Sequence, residues 1–248
     1  MPLAQTRPVL CVRIHAGFNA QRFLAGLLEL AGQRFMTPAE LLAAKFPGCQ
    51  AGLELKPVAV NSIAGVAAVF DAAPERCHRG PADIAAIYAR SRLSAPARAV
   101  AGAVWDELAR AEARVHNAAP EAVHFHEVGR MANVLAIGLI GELVAAIGPS
   151  AVVASPLPVG DGAIRCAHGV IPSPAPAMLA MLDGVSVRPF AGEGEPVTPT
   201  GLAVLKGLGA RFGAWPAMRV RRHATAFVPG KAFAGVPNGA IFVLGDPA

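Results

Sequence analysis

Short apolar runs typical of buried strands alternate along this chain with longer segments whose apolar residues recur at helical spacing. The strand patterns cover residues 9–14, 53–63, 65–71, 151–155 and 163–167. The helical patterns cover residues 20–30, 40–46, 83–91, 95–116 and 131–147, and two further helices are expected, one ending near Gly184 and one beginning at Thr200. This alternation predicts an α/β or mixed α+β fold in a single domain over residues 1–248.

The composition excludes several classes of protein. Hydrophobic residues make up 54% of the 248 residues and charged residues 16%, which is ample material for a buried core. The longest apolar run, residues 134–147, is interrupted by Glu142 and two glycines, so a buried helix is expected there and a membrane span is not. Residues 1–7 lack the pattern of a secretory signal, which predicts a cytoplasmic protein. The 4 cysteines form no Cys-x-x-Cys pair, which argues against a zinc ribbon or a dithiol redox centre.

The net charge points to an anionic partner. A formal charge of +5 suits nucleic acid, a nucleotide or a phosphorylated cofactor. The only dense basic cluster is residues 219–223, and the chain offers few tyrosine and tryptophan side chains for base stacking. A nucleic-acid partner is therefore not expected, and a phosphate-bearing small molecule fits the charge at least as well. A chain this apolar also favours self-association, so a homo-oligomer is expected.

The segment Val-His-Phe-His-Glu-Val-Gly at residues 123–129 holds two imidazoles and a carboxylate in four consecutive positions. In an extended chain, His124 and His126 share one face at roughly 6–7 Å, so that both reach toward one point. Neutral imidazole is a ligand for nickel, zinc and copper, and Glu127 on the opposite face can orient a neighbouring group. These residues are candidates for a metal site, and the alternative is a pair of hydrogen-bonded structural histidines.

Three further places carry reactive or polar side chains: His78 with Arg79, the turn at His168, and residues 195–201. In the last of these, Thr200 is expected to cap a helix whose free amide groups attract an anion, and Thr198 adds a hydroxyl. This predicts a phosphate or carboxylate site, although a plain helix cap explains Thr200 equally well.

Six separated strings occur in one order over more than half of the chain: AEARVH (111–116), VHFHEVG (123–129), SPLPVGDG (155–162), CAHGVIPSPAPAMLAML (166–182), EPVTPTGLAVL (195–205) and FGAWPAMRV (212–220). Taken together they resemble the LarC family, the nickel insertion proteins that complete the nickel-pincer nucleotide cofactor of lactate racemase. The chain is similar to the N-terminal domain of that family.

The resemblance implies a cytoplasmic lyase that inserts nickel into pyridinium-3,5-bisthiocarboxylic acid mononucleotide in a CTP-dependent reaction and forms a carbon–nickel bond. On this sequence the implied catalytic or metal-handling residues are His124, His126 and Glu127, with His78 and His168 as further metal ligands. The residues implied to face the nucleotide are Thr198, Thr200, Gly201 and Arg79.

The chain departs from the family pattern at acidic positions. The family has a loop Asp-Cys-x-x-Gly-x-x-Gly-Asp-Met after the first strand, and here Arg13 and Gln21 replace the two acids. Two carboxylates of the helix after the histidines are replaced by Ala132 and Ala136. Hard divalent cations such as magnesium depend on carboxylate oxygens, so this loss weakens such a site. The C-terminal CTP-associated domain of the family is also expected to be absent, and CTP would then act only through a partner chain.

Three functions remain open at this point. One is an active nickel insertion protein that takes CTP binding from a separate subunit. Another is a non-catalytic homologue that binds nickel, the cofactor precursor or a partner subunit as a scaffold or regulator. The third is zinc-dependent hydrolysis, with His124, His126 and His168 around a metal-bound water. At least one of the arginines 13, 22 and 130 is expected to face the pocket, where it would bind anions.

Overall fold

The computed structural model describes residues 7–32, 36–73, 75, 78–166 and 169–248, which form a mixed α/β fold. The strands are β1 (Val9–Ala16), β2 (Gly52–Val60), β3 (Ile63–Asp71), β4 (Ala151–Ala154), β5 (Leu157–Val159), β6 (Gly162–Cys166), β7 (Gly169–Ser173), β8 (Val187–Pro189), β9 (Arg211–Phe212), β10 (Met218–Ala226) and β11 (Gly239–Pro247). The helices are α1 (Ala20–Ala31), α2 (Pro38–Lys45), α3 (Pro81–Arg90), α4 (Ala95–His116), α5 (Met131–Ile147), α6 (Pro176–Ala180) and α7 (Pro199–Gly207), with a 3-10 turn at Pro120–Ala122. The predicted mixed fold class is confirmed.

Seven strands form one mixed sheet in the order β2-β3-β10-β11-β1-β4-β9. Within it, β1 is antiparallel to β11 and parallel to β4, so that Val12 stands between Phe242 and Ala154. The antiparallel hairpin β2–β3 extends one edge and joins β10 through Val66 and Ala226. The parallel pair β5–β8 and the antiparallel hairpin β6–β7 form two small sheets outside the main one.

The hydrophobic core combines one face of the main sheet with α1, α4, α5 and α7. On β1 the alternating residues Leu10, Val12 and Ile14 are buried in this core, as the period of two in a strand requires. Helix α1 lies so close to the sheet that a Cβ atom on Gly26 would stand 2.3 Å from the ring of Phe242. Glycine at this position therefore allows the helix to approach the sheet.

Helix α5 is buried on all sides from Val134 to Val144. Its one charged side chain, Glu142, pairs with Lys45 and accepts hydrogen bonds from the N–H and the hydroxyl of Ser94 at 2.8 and 2.9 Å. These partners explain how a carboxylate is accommodated in an apolar helix. Among the described residues, no helix is both long enough and apolar enough to cross a membrane.

The loop between β1 and α1 is hydrogen-bonded to the loop that precedes α7. Phe18, after β1, forms a parallel bridge with Val197, before α7: the Phe18 N–H donates to Pro196 O, and the Thr198 N–H donates to Phe18 O, each at 2.9 Å. Gly201 packs against the same loop, because a Cβ atom on it would lie 2.8 Å from the Phe18 carbonyl oxygen. The starts of α1 and α7 are thereby held side by side.

Most predicted elements are present, with shifts at their ends. The strand predicted at 163–167 is β6, which begins and ends one residue earlier, and the helix expected from Thr200 begins at Pro199. The helix expected to end near Gly184 ends at Ala180. Strands β5, β7, β8, β9 and β11 were not predicted, and β10 covers the segment that the sequence marked only as a basic cluster at residues 219–223.

Candidate functional site

A cavity of about 550 Å³ lies where the starts of several helices meet the end of α4. The helix starts contribute Asn19 and Gln21 (α1), Arg130, Ala132 and Asn133 (α5), Ala175, Pro176 and Ala177 (α6), and Thr198, Pro199 and Thr200 (α7). The remaining wall consists of Glu112, Val115, His116, His126, Glu127, Val128, Ile164, Ile171 and Glu195. A larger cavity of about 690 Å³ lies at the far end of α5, and none of the predicted site residues lines it.

The histidine segment, residues 123–129, reaches the cavity through a short extended stretch. Phe125 is fully buried, and its backbone N–H donates to the Arg79 carbonyl oxygen at 2.8 Å. Of the two flanking imidazoles, His126 is half-buried and lines the cavity, whereas His124 is exposed and is not among the lining residues. The buried Phe125 thus anchors the segment and presents His126 to the cavity.

His126 lies between two other imidazoles. Its ring centroid is 5.8 Å from that of His78 and 6.4 Å from that of His116. The His116 Nε2 atom lies 3.3 Å from the carboxylate of Glu112, one turn earlier on α4. The described residues contain no group of three His, Cys, Asp or Glu side chains that is ready to hold an ion, and His168 lies outside the described residues. Of the predicted metal ligands, the structure therefore brings His126 and His78 together.

Arg79 fixes the histidine segment. Its guanidinium donates to both carboxylate oxygens of Glu75, at 3.0 and 2.8 Å, and to the Gly129 carbonyl oxygen at 2.9 Å. The same carboxylate accepts a hydrogen bond from the N–H of Met131, the first residue of α5. The hydrogen bonds from Arg79 hold the pKa of Glu75 below its usual range. Arg79 is not among the cavity-lining residues, and its role toward a nucleotide stays a prediction.

The predicted nucleotide-facing loop forms the start of α7. Thr198 is the N-cap, since Pro199 occupies the first helical position, and its hydroxyl accepts a hydrogen bond from the Gly201 N–H at 3.4 Å. The expectation that Thr200 caps this helix is therefore wrong. The Thr200 hydroxyl instead lies 3.0 Å from that of Thr198, and both residues line the cavity. Gly201 is buried against Phe18 and is not among the lining residues.

Two glutamates on the cavity wall lie in different environments. Glu127 is exposed, whereas Glu195 is half-buried just before the bridge between Val197 and Phe18. Burial raises the pKa of Glu195 to about 7; the nearby Lys231 opposes this rise and Glu127 adds to it. Glu195 therefore exchanges a proton near neutral pH.

The arginines at positions 13, 22 and 130 have separate surroundings. Arg130 lines the cavity, which confirms that at least one of them faces it. Arg13 donates to the Gly213 carbonyl oxygen at 2.9 Å and lies 5.3 Å from the ring centroid of Trp215. Arg22 is buried, and its Nε atom has no hydrogen-bond partner among the described residues.

The four positions that carry acids in the family pattern also differ in whether they line the cavity. Gln21 and Ala132 line the cavity. Ala136 is buried inside α5, and Arg13 lies on β1 away from the lining residues. Two of the four substitutions therefore change the charge of the cavity wall directly.

Comparison with known proteins identifies the family. The family model for nickel insertion proteins matches residues 10–245. This chain belongs to the nickel insertion protein family. Two relatives named for nickel insertion, from Geotalea daltonii and Pelobacter propionicus, are 36% and 35% identical to it over 235 and 234 residues. These alignments cover 94% of the chain but only 60% and 59% of the relatives, so the chain spans about three fifths of their length.

One relative carries a more specific name within the family. It is the pyridinium-3,5-bisthiocarboxylic acid mononucleotide nickel insertion protein of Desulfitobacterium hafniense, 38% identical over 147 residues. That alignment covers 58% of this chain and 36% of the relative. No solved structure matches the chain significantly.

Three cavity residues with titratable side chains were not predicted to carry function: Glu112, His116 and Glu195. Glu112 and His116 lie one turn apart on α4, whereas Glu195 comes from the loop before α7, so no local spacing connects Glu195 with the other two. In the sequence all three lie in the family strings AEARVH and EPVTPTGLAVL, and Glu195 also begins the polar segment 195–201.

Proposed function

We propose that this cavity binds nickel and pyridinium-3,5-bisthiocarboxylic acid mononucleotide, and that the chain acts as a nickel insertion protein in maturation of the nickel-pincer cofactor. The observation that carries the proposal is that imidazoles and several helix starts line one cavity. The imidazoles are His116 and His126, and the helix starts are those of α1, α5 and α7, with Arg130 at the start of α5. Membership of the nickel insertion family and the name of the Desulfitobacterium relative support the same ligands.

Nickel would bind at the imidazoles near the cavity wall. His126 is the central candidate because it lines the cavity and has His78 at 5.8 Å. His124 and His168 complete the proposed ligand set, with Glu127 as the adjacent carboxylate. Imidazole nitrogen suits nickel, and the thiocarboxylate sulfurs of the mononucleotide are softer ligands that can take the ion over.

The mononucleotide phosphate would bind at the helix starts that line the cavity. Free N–H groups at a helix start attract phosphate, and the hydroxyls of Thr198 and Thr200 stand at the start of α7. Arg130 adds a guanidinium at the start of α5. In this arrangement Gly201 lets the α7 start approach Phe18, and Arg79 supports the site by holding the histidine segment.

CTP would act through a partner chain. Gln21 and Ala132 replace carboxylates in the cavity wall, so the wall has two fewer of the oxygen ligands that a magnesium–triphosphate complex would use. The same observation favours a second function, in which the chain binds nickel and the precursor as a non-catalytic scaffold or regulator. A cytoplasmic location and a homo-oligomeric state remain predictions.

Isothermal titration calorimetry with nickel, zinc and the mononucleotide tests the proposal on the tag-free chain. We expect His126→Ala to weaken nickel binding about tenfold or more, which corresponds to about 1.4 kcal/mol. His223→Ala, an exposed histidine on β10, is the matched control and should bind nickel like the wild type. A folded wild type that binds neither nickel nor the mononucleotide would contradict the proposal. Binding of both without insertion, when CTP and a separate chain carrying the CTP-associated domain are present, would favour the scaffold function.

A further inference from the structure

Bond formation between a metal ion and an organic ligand releases protons, because the donor atoms of the ligand must be deprotonated. A cavity that performs this step at neutral pH benefits from a proton acceptor beside the ligand. Three carboxylates line the cavity: Glu112, Glu127 and Glu195. Glu112 is half-buried and lies 3.3 Å from His116 Nε2, and Glu127 is exposed to water. Glu195 is the half-buried lining carboxylate whose charge is not engaged by a neighbouring histidine on its own element.

The backbone around Glu195 is held firmly. Pro196 O accepts the hydrogen bond from Phe18, and the following residue, Val197, is buried in the bridge to the β1–α1 loop. Among the residues that the structure describes, none donates a hydrogen bond to the Glu195 carboxylate. A half-buried carboxylate without such donors is stabilised in its protonated form, because burial disfavours the charge.

Charged groups around Glu195 come from several elements. Lys231 approaches from the loop between β10 and β11, which Asn238 holds by donating to the Lys231 carbonyl oxygen at 2.7 Å. Glu127 approaches from the histidine segment. The other titratable or charged groups on the cavity wall are Glu112, His116, His126 and Arg130. Lys231 stabilises the ionised carboxylate and Glu127 the neutral acid, and together with burial they set the pKa of Glu195 near 7.

We propose that Glu195 is the proton acceptor for metal insertion in this cavity. As nickel forms the carbon–nickel bond, the carbon atom of the mononucleotide loses its proton and the Glu195 carboxylate becomes a carboxylic acid. The electron pair of the broken carbon–hydrogen bond becomes the bond to nickel, so no oxidant or reductant is needed. The acid then returns its proton to water at the cavity opening. This role rests on the proposed nickel insertion function.

The test measures nickel incorporation into the protein-bound mononucleotide by stopped-flow absorbance from pH 5.5 to 8.5. Nickel, CTP and a separate chain carrying the CTP-associated domain of the family are all present. In the wild type the rate should rise as pH increases through about 7, where Glu195 becomes ionised. Glu195→Gln should lower the rate at pH 8 by about a hundredfold and remove this rise, with nickel and mononucleotide affinities within about twofold of wild type. Glu195→Asp should keep part of the pH dependence. Glu29→Gln, at an exposed glutamate of α1, is the control and should behave like the wild type.

Infrared spectra of the free protein give a readout that does not depend on turnover. The carbonyl band of one protonated carboxyl group should be present at pH 6, fade by pH 8, and be missing in Glu195→Gln. A wild-type protein without this band, or a Glu195→Gln variant that keeps the rate and its pH dependence, overturns the proton-acceptor role alone. A wild type that binds nickel and mononucleotide but inserts no metal overturns the same role and leaves the scaffold function. A wild type that binds neither ligand overturns the proposed function together with this role.

Discussion

Replacement of Arg22 by methionine should stabilise the fold. Arg22 lies in the first turn of α1 with a relative exposure of 9%, and its Nε atom has no hydrogen-bond partner among the described residues. Burial lowers the pKa of its guanidinium, and no described carboxylate contributes an opposing effect. The family pattern has methionine at this position, so the site is one where an apolar side chain is expected to fit.

The magnitude follows from this burial. A buried ion without a partner costs several kcal/mol even after the surroundings relax. Methionine is unbranched and adapts to irregular gaps, so it should retain most of the packing made by the arginine stem. Because Arg22 as a whole keeps a relative exposure of 9%, we expect a gain of about 2 kcal/mol, less than the full penalty. For a chain of this size, that gain raises the thermal midpoint by about 4–8 °C.

Urea and thermal denaturation followed by circular dichroism measure this difference. The control is Arg90→Met at the exposed end of α3, which removes the same charge from the surface and should change the stability by less than about 0.5 kcal/mol. An Arg22→Met variant less stable than wild type, beside an unchanged Arg90→Met, would refute the reasoning. It would mean that the buried guanidinium has a favourable partner.

Three further changes have definite expected outcomes. Tyr88→Phe removes the hydroxyl that accepts from Trp105 Nε1 and donates to a carbonyl of α5, each at 2.8 Å, so urea denaturation should show a loss of about 1–3 kcal/mol. Gly201→Ala places a Cβ atom 2.8 Å from Phe18 O and should cost about 1–3 kcal/mol by the same measurement. The pKa of Glu195 rises on folding from 4.5 to about 7, so wild-type stability should fall as pH increases between these values. At pH 8, Glu195→Gln should therefore have a free energy of unfolding that exceeds that of the wild type by at most about 3 kcal/mol, and water that screens the half-buried charge makes the difference smaller. Near pH 4.5 the two proteins should be about equally stable.

The local sequence pattern predicted the long helices of this fold, but it gave no prediction of the order of strands in the sheet. The apolar spacing in α4 and α5 predicted both helices with their correct limits. β9 covers only Arg211–Phe212, which is too short to show any period. β11 is longer, but it lies between β1 and β10, and that place depends on pairing between residues far apart in the chain. Pairing of this kind cannot be predicted from the apolar pattern of a short stretch of sequence.

The cavity could be predicted only in part for the same reason. The sequence named His126 and Thr198 because each lies in a compact pattern with its own physical meaning. His116 and Glu195 lie in single positions on different segments, and only the folded chain brings them to one wall. The prediction that Thr200 caps α7 was wrong for a different reason. Proline favours the first helical position, so Pro199 already indicates that the residue before it, Thr198, is the cap.

The substitutions in the cavity change which ligands its wall favours. Gln21 and Ala132 stand where the family pattern has carboxylates, and Arg130 adds a cation to the same wall. Less negative charge beside the helix starts strengthens their attraction for an anion, and it leaves fewer of the oxygens that hard divalent cations need. His116 and His126 line the same cavity, and imidazole is itself a ligand for nickel. We therefore expect the cavity to retain affinity for nickel and for an anionic precursor, while the magnesium-dependent chemistry of a triphosphate takes place on another chain.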